Sequence, residues 1–250
     1  MTARPHVLVT GGSRGIGAAL CRLAATHGWN TTVNYAAARE AADAVVTDVE
    51  TTGGKAIALQ ADIASESETI DLFDAAEKAL GPINSVIVNA GVFAPPSPLA
   101  DMDLERIRRI VDVNVTGALL TCREAARRMS KSRGGQGGTI VLVSSAAARL
   151  GAPGAQVDYA ASKGAIESLL IGLSRELAPE GIRVNAVSPG LIDTEIHAAA
   201  GDPERARRLG STTPIGREGS AAEVAEAIFW LMSDASSYAA GANIDVTGGR

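Results

Sequence analysis

Tyr159 and Lys163 stand four residues apart in Asp158-Tyr-Ala-Ala-Ser-Lys163. On a helix both side chains leave the same face and reach one small volume. A phenol near pKa 10 is a poor base at neutral pH, and moving it about three units requires roughly 4 kcal/mol. A neighbouring ammonium stabilises phenolate, so this pair suits proton exchange with an alcohol or carbonyl. Ser145 follows an apolar, strand-like run and offers a hydroxyl to a carbonyl oxygen as charge develops there. The second constellation is Thr10-Gly-Gly-Ser-Arg-Gly-Ile-Gly17. Gly11, Gly15 and Gly17 leave backbone N–H groups bare, so a pyrophosphate can approach the positive end of the following helix.

These residues need a scaffold that brings strand ends together, and the apolar pattern supplies one. His6 to Thr10 reads as a strand, followed by the glycine turn and then Ile16, Leu20, Leu23 and Ala24 at helical spacing, stopped by Gly28. Thr31 to Tyr35, Lys55 to Gln60 and Ile83 to Val88 are the next strands. The helices between them run from Arg39 to Thr52 and from Ser65 to Leu80. A long helical stretch from Asp101 to about Lys131 leads into the glycine-rich Arg133 to Gly138, which reads as an exposed connector. Thr139 to Ser144 is the fifth strand, Asp158 to Ala178 a long helix and Arg183 to Val187 the sixth strand. Ala221 to Met232 is a helix and Ala242 to Val246 the last strand. Strands alternating with helices predict a doubly wound, Rossmann-type three-layer α/β sandwich with a seven-stranded, mostly parallel sheet. No linker or repeat divides residues 1–250, which are expected to form one dinucleotide-binding catalytic domain. The stretch 191–217 is too long for a simple connection and is expected to act as a substrate lid.

Composition narrows the function further. Hydrophobic residues are 46% and aromatics only 3%, so Ala, Val, Ile and Leu must build the core. The net charge of −5 is mixed along the chain, with no basic stripe for nucleic acid or an anionic membrane. Cys21 and Cys122 read as small buried hydrophobes in a reduced compartment. His6, His27 and His197 share no metal-ligand spacing, and no metal is expected. Without a signal segment or a long apolar run, a cytoplasmic location is expected.

The glycine turn is similar to that of the short-chain dehydrogenase/reductase family, and further motifs extend the resemblance along nearly the whole chain. They are Asp62-Ile63 after the third strand, Asn89-Ala-Gly91 after the fourth, and Asn114 in Val113-Asn-Val-Thr-Gly117. Ser144-Ser145, Tyr159 to Lys163, Ser188-Pro-Gly190 and Asp245-Val-Thr-Gly-Gly249 follow in order. Val88 departs from the pattern, where the family often has another Asn, and the gap from Ser145 to Tyr159 is one residue longer than usual. Gly151, six positions past Ser145, favours Ser145 over Ser144 as the active serine.

The resemblance implies a nicotinamide-dependent oxidoreductase acting on a carbonyl or alcohol. It places adenine at Asp62 and Ile63, and nicotinamide ribose hydroxyls on Lys163. The positive charge of oxidised nicotinamide would add to that of Lys163 in favouring phenolate. Asn114 would hold a water connecting Lys163 to solvent. The implied cofactor contacts are Gly11, Ser13, Arg14, Gly15, Ile16, Gly17, Tyr35, Asn89, Ala90, Gly91, Pro189, Gly190, Ile192 and Thr194, along with Tyr159 and Lys163. Thr194 either touches the carboxamide or pyrophosphate, or caps a helix. Asp158 reads as a helix cap.

The second strand ends Val33-Asn-Tyr-Ala36, with no acid before Glu40 to accept ribose hydroxyls, and Arg14 can meet a 2′-phosphate. NADP(H) is therefore the preferred cofactor, with NAD(H) possible; Arg39 either assists or is solvated surface. Overall resemblance is nearest to 3-oxoacyl reductase-like and glucose-dehydrogenase-like members. A homotetramer assembled by long helices, the Ala221 to Met232 segment and the last strand is expected, with Trp230 at an interface. For Phe229 and Trp230, ordinary core is the alternative to the interface that the resemblance favours. The alternative is a non-catalytic dinucleotide sensor, which typically loses the tyrosine or lysine retained here. An epimerase or dehydratase needs a larger region after Gly190.

Overall fold

A computed structural model describes residues 4–195 and 201–250. Strands β1 (His6–Val9), β2 (Asn30–Tyr35), β3 (Ala56–Gln60), β4 (Ser85–Val88), β5 (Gly138–Val143), β6 (Ile182–Pro189) and β7 (Asn243–Val246) form one sheet. Their order is β3-β2-β1-β4-β5-β6-β7, every neighbouring pair parallel. The inner strands are rich in Val and Ile and buried on both faces, as a helix-covered parallel sheet requires. Successive side chains leave opposite faces, so Val7 and Val9 join one core while Leu8 joins the other.

Helices α1 (Gly15–Thr26), α2 (Arg39–Thr51) and α7 (Ala221–Met232) cover the first face. The other face carries α3 (Glu66–Leu80), α5 (Gly117–Met129) and α6 (Val157–Leu177). Chain order reverses between β1 and β4, so their carboxyl ends part and leave a crevice, the usual ligand position in such sheets.

Several elements depart from the sequence reading. The stretch expected as one helix from Asp101 breaks into α4 (Leu104–Val111), a π turn over Asp112–Thr116, and α5. Asp103 starts α4 by accepting a hydrogen bond from the Arg106 N–H at 2.7 Å, which the period alone could not locate. The glycine run at 133–138 is more than an exposed connector. Gly137 is buried with φ of +78°, and a Cβ there would overlap the Gly181 carbonyl.

β6 extends past both ends of the expected Arg183 to Val187, because Pro189 still pairs with Val246. Beyond it a two-residue ladder joins Ile192–Asp193 to Gly219–Ser220, and a short helix spans Arg205–Gly210. Part of the expected lid, residues 196–200 with His197, lies outside the described residues. α7 has the bounds its pattern predicts, and the reciprocal Ser220–Glu223 capping box explains its start. No helix among the described residues is long and apolar enough to cross a membrane.

Candidate active site

A cavity of about 510 Å³ opens over the carboxyl ends of β1, β4, β5 and β6. Its floor is the turn between β1 and α1. Gly11 and Gly15 have φ of +62° and +51°, and a Cβ at Gly17 would overlap the Gly11 carbonyl. Only glycine permits so close a turn there. The turn is held from two sides. Asn89 Nδ2 donates to the carbonyls of Thr10 and Gly11 at 2.9 and 3.0 Å, and Thr10 Oγ1 accepts from Asn89 and Ala90 N–H. From β2, Asn34 Oδ1 accepts from Gly11 N–H at 3.2 Å.

Tyr159 and Lys163 lie on one face of α6, as their spacing requires. Ser145 follows β5 and its Oγ accepts from Ala147 N–H at 3.1 Å. Lys163 Nζ donates to the Val143 carbonyl at 2.8 Å and lies 5.7 Å from the Tyr159 ring centre. Burial pulls the Lys163 ammonium down from 10.5 to about 8. Burial also pushes the Tyr159 phenol upward, opposed by its hydrogen bond with Ser145 and by the Arg205 charge. Among the protein's own groups, burial of the phenol outweighs the two that favour phenolate. Ser144 is buried, and its single O–H is shared between the Lys163 carbonyl and Glu167 Oε1, both at 3.3 Å. Of the two serines, Ser145 is the one whose hydroxyl favours the phenolate of Tyr159.

Gly11, Arg14, Gly15, Ile16, Asn89, Ala90, Gly91, Pro189, Gly190, Ile192 and Thr194 line the cavity with Ser145, Tyr159 and Lys163. Thr194 stands over the turn, its Cγ2 3.2 Å from where a Gly15 Cβ would be. Ser13 and Gly17 belong to the turn itself but do not line the cavity.

Tyr35 is not brought to the cavity. Like Val33 it leaves β2 toward α1 and α2, where it is 4% exposed in the core, and does not reach the cavity. Asp62 and Ile63 lie at the end of β3, outside the cavity wall. Asp62 Oδ1 accepts from Ala64 N–H, and Ile63 packs where a Gly117 Cβ would otherwise sit. Arg39 is exposed and pairs with Asp43 at 3.5 Å, as solvated surface.

Asn114 sits behind the wall. Its Oδ1 accepts from Val92 N–H at 2.7 Å, and its Nδ2 donates to the Val92 carbonyl and Ser162 Oγ. The π turn carrying it explains how an amide fits within a helical run. A Cβ at Gly91 would lie 3.3 Å from Asn114 Oδ1 and 3.6 Å from Lys163 Nζ, so the glycine lets these groups approach the cavity.

Asp158 is a correction: Gln156 occupies the cap position, and Asp158 lies in the first turn of α6. Its carboxylate takes two hydrogen bonds from Arg106, at 2.8 and 3.2 Å, and is held below the usual carboxylate range. Burial opposes that shift, and the Arg106 hydrogen bond overcomes it. Arg106 Nη1 also donates to the Pro95 carbonyl, and Gln156 Nε2 to that of Ala94. The loop after β4 is thereby fastened to α6, with the Phe93 ring set edge-on to Tyr159 at 4.9 Å between centres.

The cavity fits a dinucleotide: a bare glycine turn at a helix start faces a phenol, an ammonium and a hydroxyl. A family model described as enoyl-(acyl carrier protein) reductase matches residues 11–250. The chain belongs to the short-chain dehydrogenase/reductase family. An uncharacterized oxidoreductase of Escherichia coli is 49% identical over 97% of this chain and 98% of its own. An L-rhamnose 1-dehydrogenase (NAD(P)(+)) of Sphingomonas is 36% identical, over 97% and 94%. A solved short-chain dehydrogenase/reductase variant from Serratia marcescens superimposes with a TM-score of 0.90 at 33% identity, covering 99% of this chain and 98% of that one. This dehydrogenase/reductase is thus an NAD(P)-dependent oxidoreductase.

Asn34, Phe93, Arg106 and Arg205 were not foreseen as parts of the site. For Asn34 a signal existed, since a polar residue inside an otherwise buried strand must find a partner. The other three meet Tyr159 or α6 only through tertiary contacts.

Proposed function

We propose that this dehydrogenase/reductase acts on a carbonyl or secondary alcohol, chiefly as a reductase that prefers NADPH and accepts NADH. The observation that carries the reading is one cavity shared by Ser145, Tyr159, Lys163 and the glycine turn. The N–H groups from Gly11 to Gly17, with Ser13 and Ile16 among them, would receive the pyrophosphate. Asp62 and Ile63 would flank the adenine, while Asn89 to Gly91 support the middle of the cofactor. Pro189, Gly190, Ile192 and Thr194 would meet its carboxamide end. When bound, the nicotinamide supplies the hydride for reduction or accepts it in the reverse direction.

The protein's own part is the proton. Ser145 would donate a hydrogen bond to the substrate oxygen. Tyr159, kept neutral by burial, donates its proton to that oxygen as negative charge develops, and takes it back during oxidation. Lys163, steadied by the Val143 carbonyl, holds the ribose hydroxyls and passes the replacement proton toward Tyr159. The Asn114 side chain already spends both donor hydrogens, so the water it would hold must donate to an oxygen of that residue.

Arg14 is exposed at the cavity rim and would meet the 2′-phosphate. The assembly is a homotetramer in the cytoplasm. Two apolar faces support four copies: one around Leu119 and Ile171 on α5 and α6, the other around Trp230 and Tyr238. Cys21 and Cys122 are buried free thiols, consistent with a reducing compartment.

The test is Tyr159→Phe assayed with NADPH and a panel of ketones. Turnover should fall by about 10³-fold, within the range general acid catalysis contributes, while NADPH affinity stays within a few-fold. Turnover near wild type would overturn the mechanism.

A further inference from the structure

The cavity wall also carries two cations to which the proton transfer assigns no contact with substrate. Arg205 and Arg250 both line it. The Arg205 guanidinium stacks over Phe93, 5.4 Å from the ring centre, on the same ring that meets Tyr159 edge-on. Phe93 therefore holds a cation and the phenol against its surface together. Arg205 has no salt-bridge partner among the described residues. Asp202, the acid whose charge favours protonated Arg205, is paired with Arg208. Burial and the like charge of Arg250 both weaken the protonated form of Arg205, so the protein keeps this cation there at a cost. Among the described residues, Glu195 is the one side-chain carboxylate that lines the cavity, and it stands by Gly15 at the glycine-turn end. Asp245, nearer the Arg250 end, is occupied by Arg149.

Resting on the carbonyl chemistry proposed above, we infer that the substrate is a short keto acid or hydroxy acid. Its carboxylate is received by Arg205, with Arg250 adding attraction, while its carbonyl oxygen faces Tyr159 and Ser145. A guanidinium fork matches a carboxylate with two parallel hydrogen bonds, which a neutral ketone cannot reproduce. The aromatic face of Phe93 holds the fork in place before the substrate arrives. The shared chemistry is an anionic oxygen group, and a small phosphate ester of a ketone would present it too.

The experiment compares the isomeric oxopentanoates with their methyl esters, which keep the carbonyl and lose the charge. The ketone phosphate dihydroxyacetone phosphate runs beside dihydroxyacetone. Wild type should favour at least one acid over its ester by 10-fold or more in kcat/KM, mainly through KM. Arg205→Gln should cut that ratio at least 10-fold, and Arg205→Lys should restore part of it. A preference for the phosphate pair alone would overturn the carboxylate assignment, and equal efficiencies throughout would overturn the anion site.

Calorimetry of pentanoate against its methyl ester, with NADPH present, separates this inference from the catalytic reading, since neither compound has a ketone to reduce. Tighter binding of pentanoate that Arg205→Gln abolishes supports the anion site even if no ketone turns over. Binding equal for acid and ester, or untouched by Arg205→Gln, removes it.

Discussion

Lys163 has its ammonium where burial disfavours it, and this has a signed consequence for stability. Its folded value of about 8 lies below the 10.5 of an exposed lysine. Below pH 8 both folded and unfolded chains carry the proton, and the cost of burying charge is present in full. Between pH 8 and 10.5 the unfolded chain binds more protons, so stability rises with pH through that window. The gain is on the order of 3 kcal/mol. Urea unfolding of wild type and Lys163→Met from pH 7 to 10.5 checks it: the methionine variant should lack the rise. Parallel curves would show that Lys163 does not titrate in this window.

Arg14 offers a second residue-scale prediction. The ratio of kcat/KM with NADPH to that with NADH should exceed one in wild type and drop at least 10-fold in Arg14→Ala. A ratio favouring NADH, or one that Arg14→Ala leaves alone, defeats the 2′-phosphate role. The four-residue spacing of Tyr159 and Lys163 made this pair legible from the sequence, because helix geometry is local. Arg205 was illegible for the opposite reason: nothing near it in the chain announces Phe93 or Tyr159.

At the scale of elements, the loop after β4 matters most. Asn114 satisfies both backbone groups of Val92, and Arg106 and Gln156 fasten the residues beyond. Asn114→Leu should cost about 2–3 kcal/mol by leaving those groups without partners. Urea denaturation measures this, and a loss under about 0.5 kcal/mol would mean water replaces the amide at no cost.

Strand and helix order were legible because a buried parallel sheet writes continuous apolar runs, and α7 even carried its capping box in its sequence. The π turn was not, since its five residues fit an ordinary helical pattern. Nor was the side-chain direction of Tyr35, which depends on the pleat of β2. Asn34 shows the intermediate case: its polarity was visible, but its bond to Gly11 needed the pairing of β1 with β2.

For the whole molecule, the proposed tetramer needs two kinds of two-fold contact, and the two unlike apolar faces would supply one each. A shallow groove between α5 and α6, lined by Leu119, Ile166 and Leu169, accompanies the first. Trp230, 44% exposed, marks the second, while Phe229 beside it stacks on His27 at 4.3 Å and belongs partly to the core. Light scattering at micromolar concentration should give the mass of four chains, and Trp230→Glu should reduce it to two. A wild-type monomer would rule the assembly out.

The fastening of the 92–98 loop to α6 also sets terms for anyone redesigning the enzyme. The Phe93 side of the cavity shares its supports with Tyr159, so enlarging it there disturbs the proton donor along with the shape. The side formed by Leu150 and Pro153 takes no part in the Phe93–Tyr159 contact; Leu150 is half-exposed on a four-residue helix. Mutant libraries meant to admit bulkier substrates should be concentrated at those two positions, where size can be varied without touching the Phe93 ring that meets the phenol.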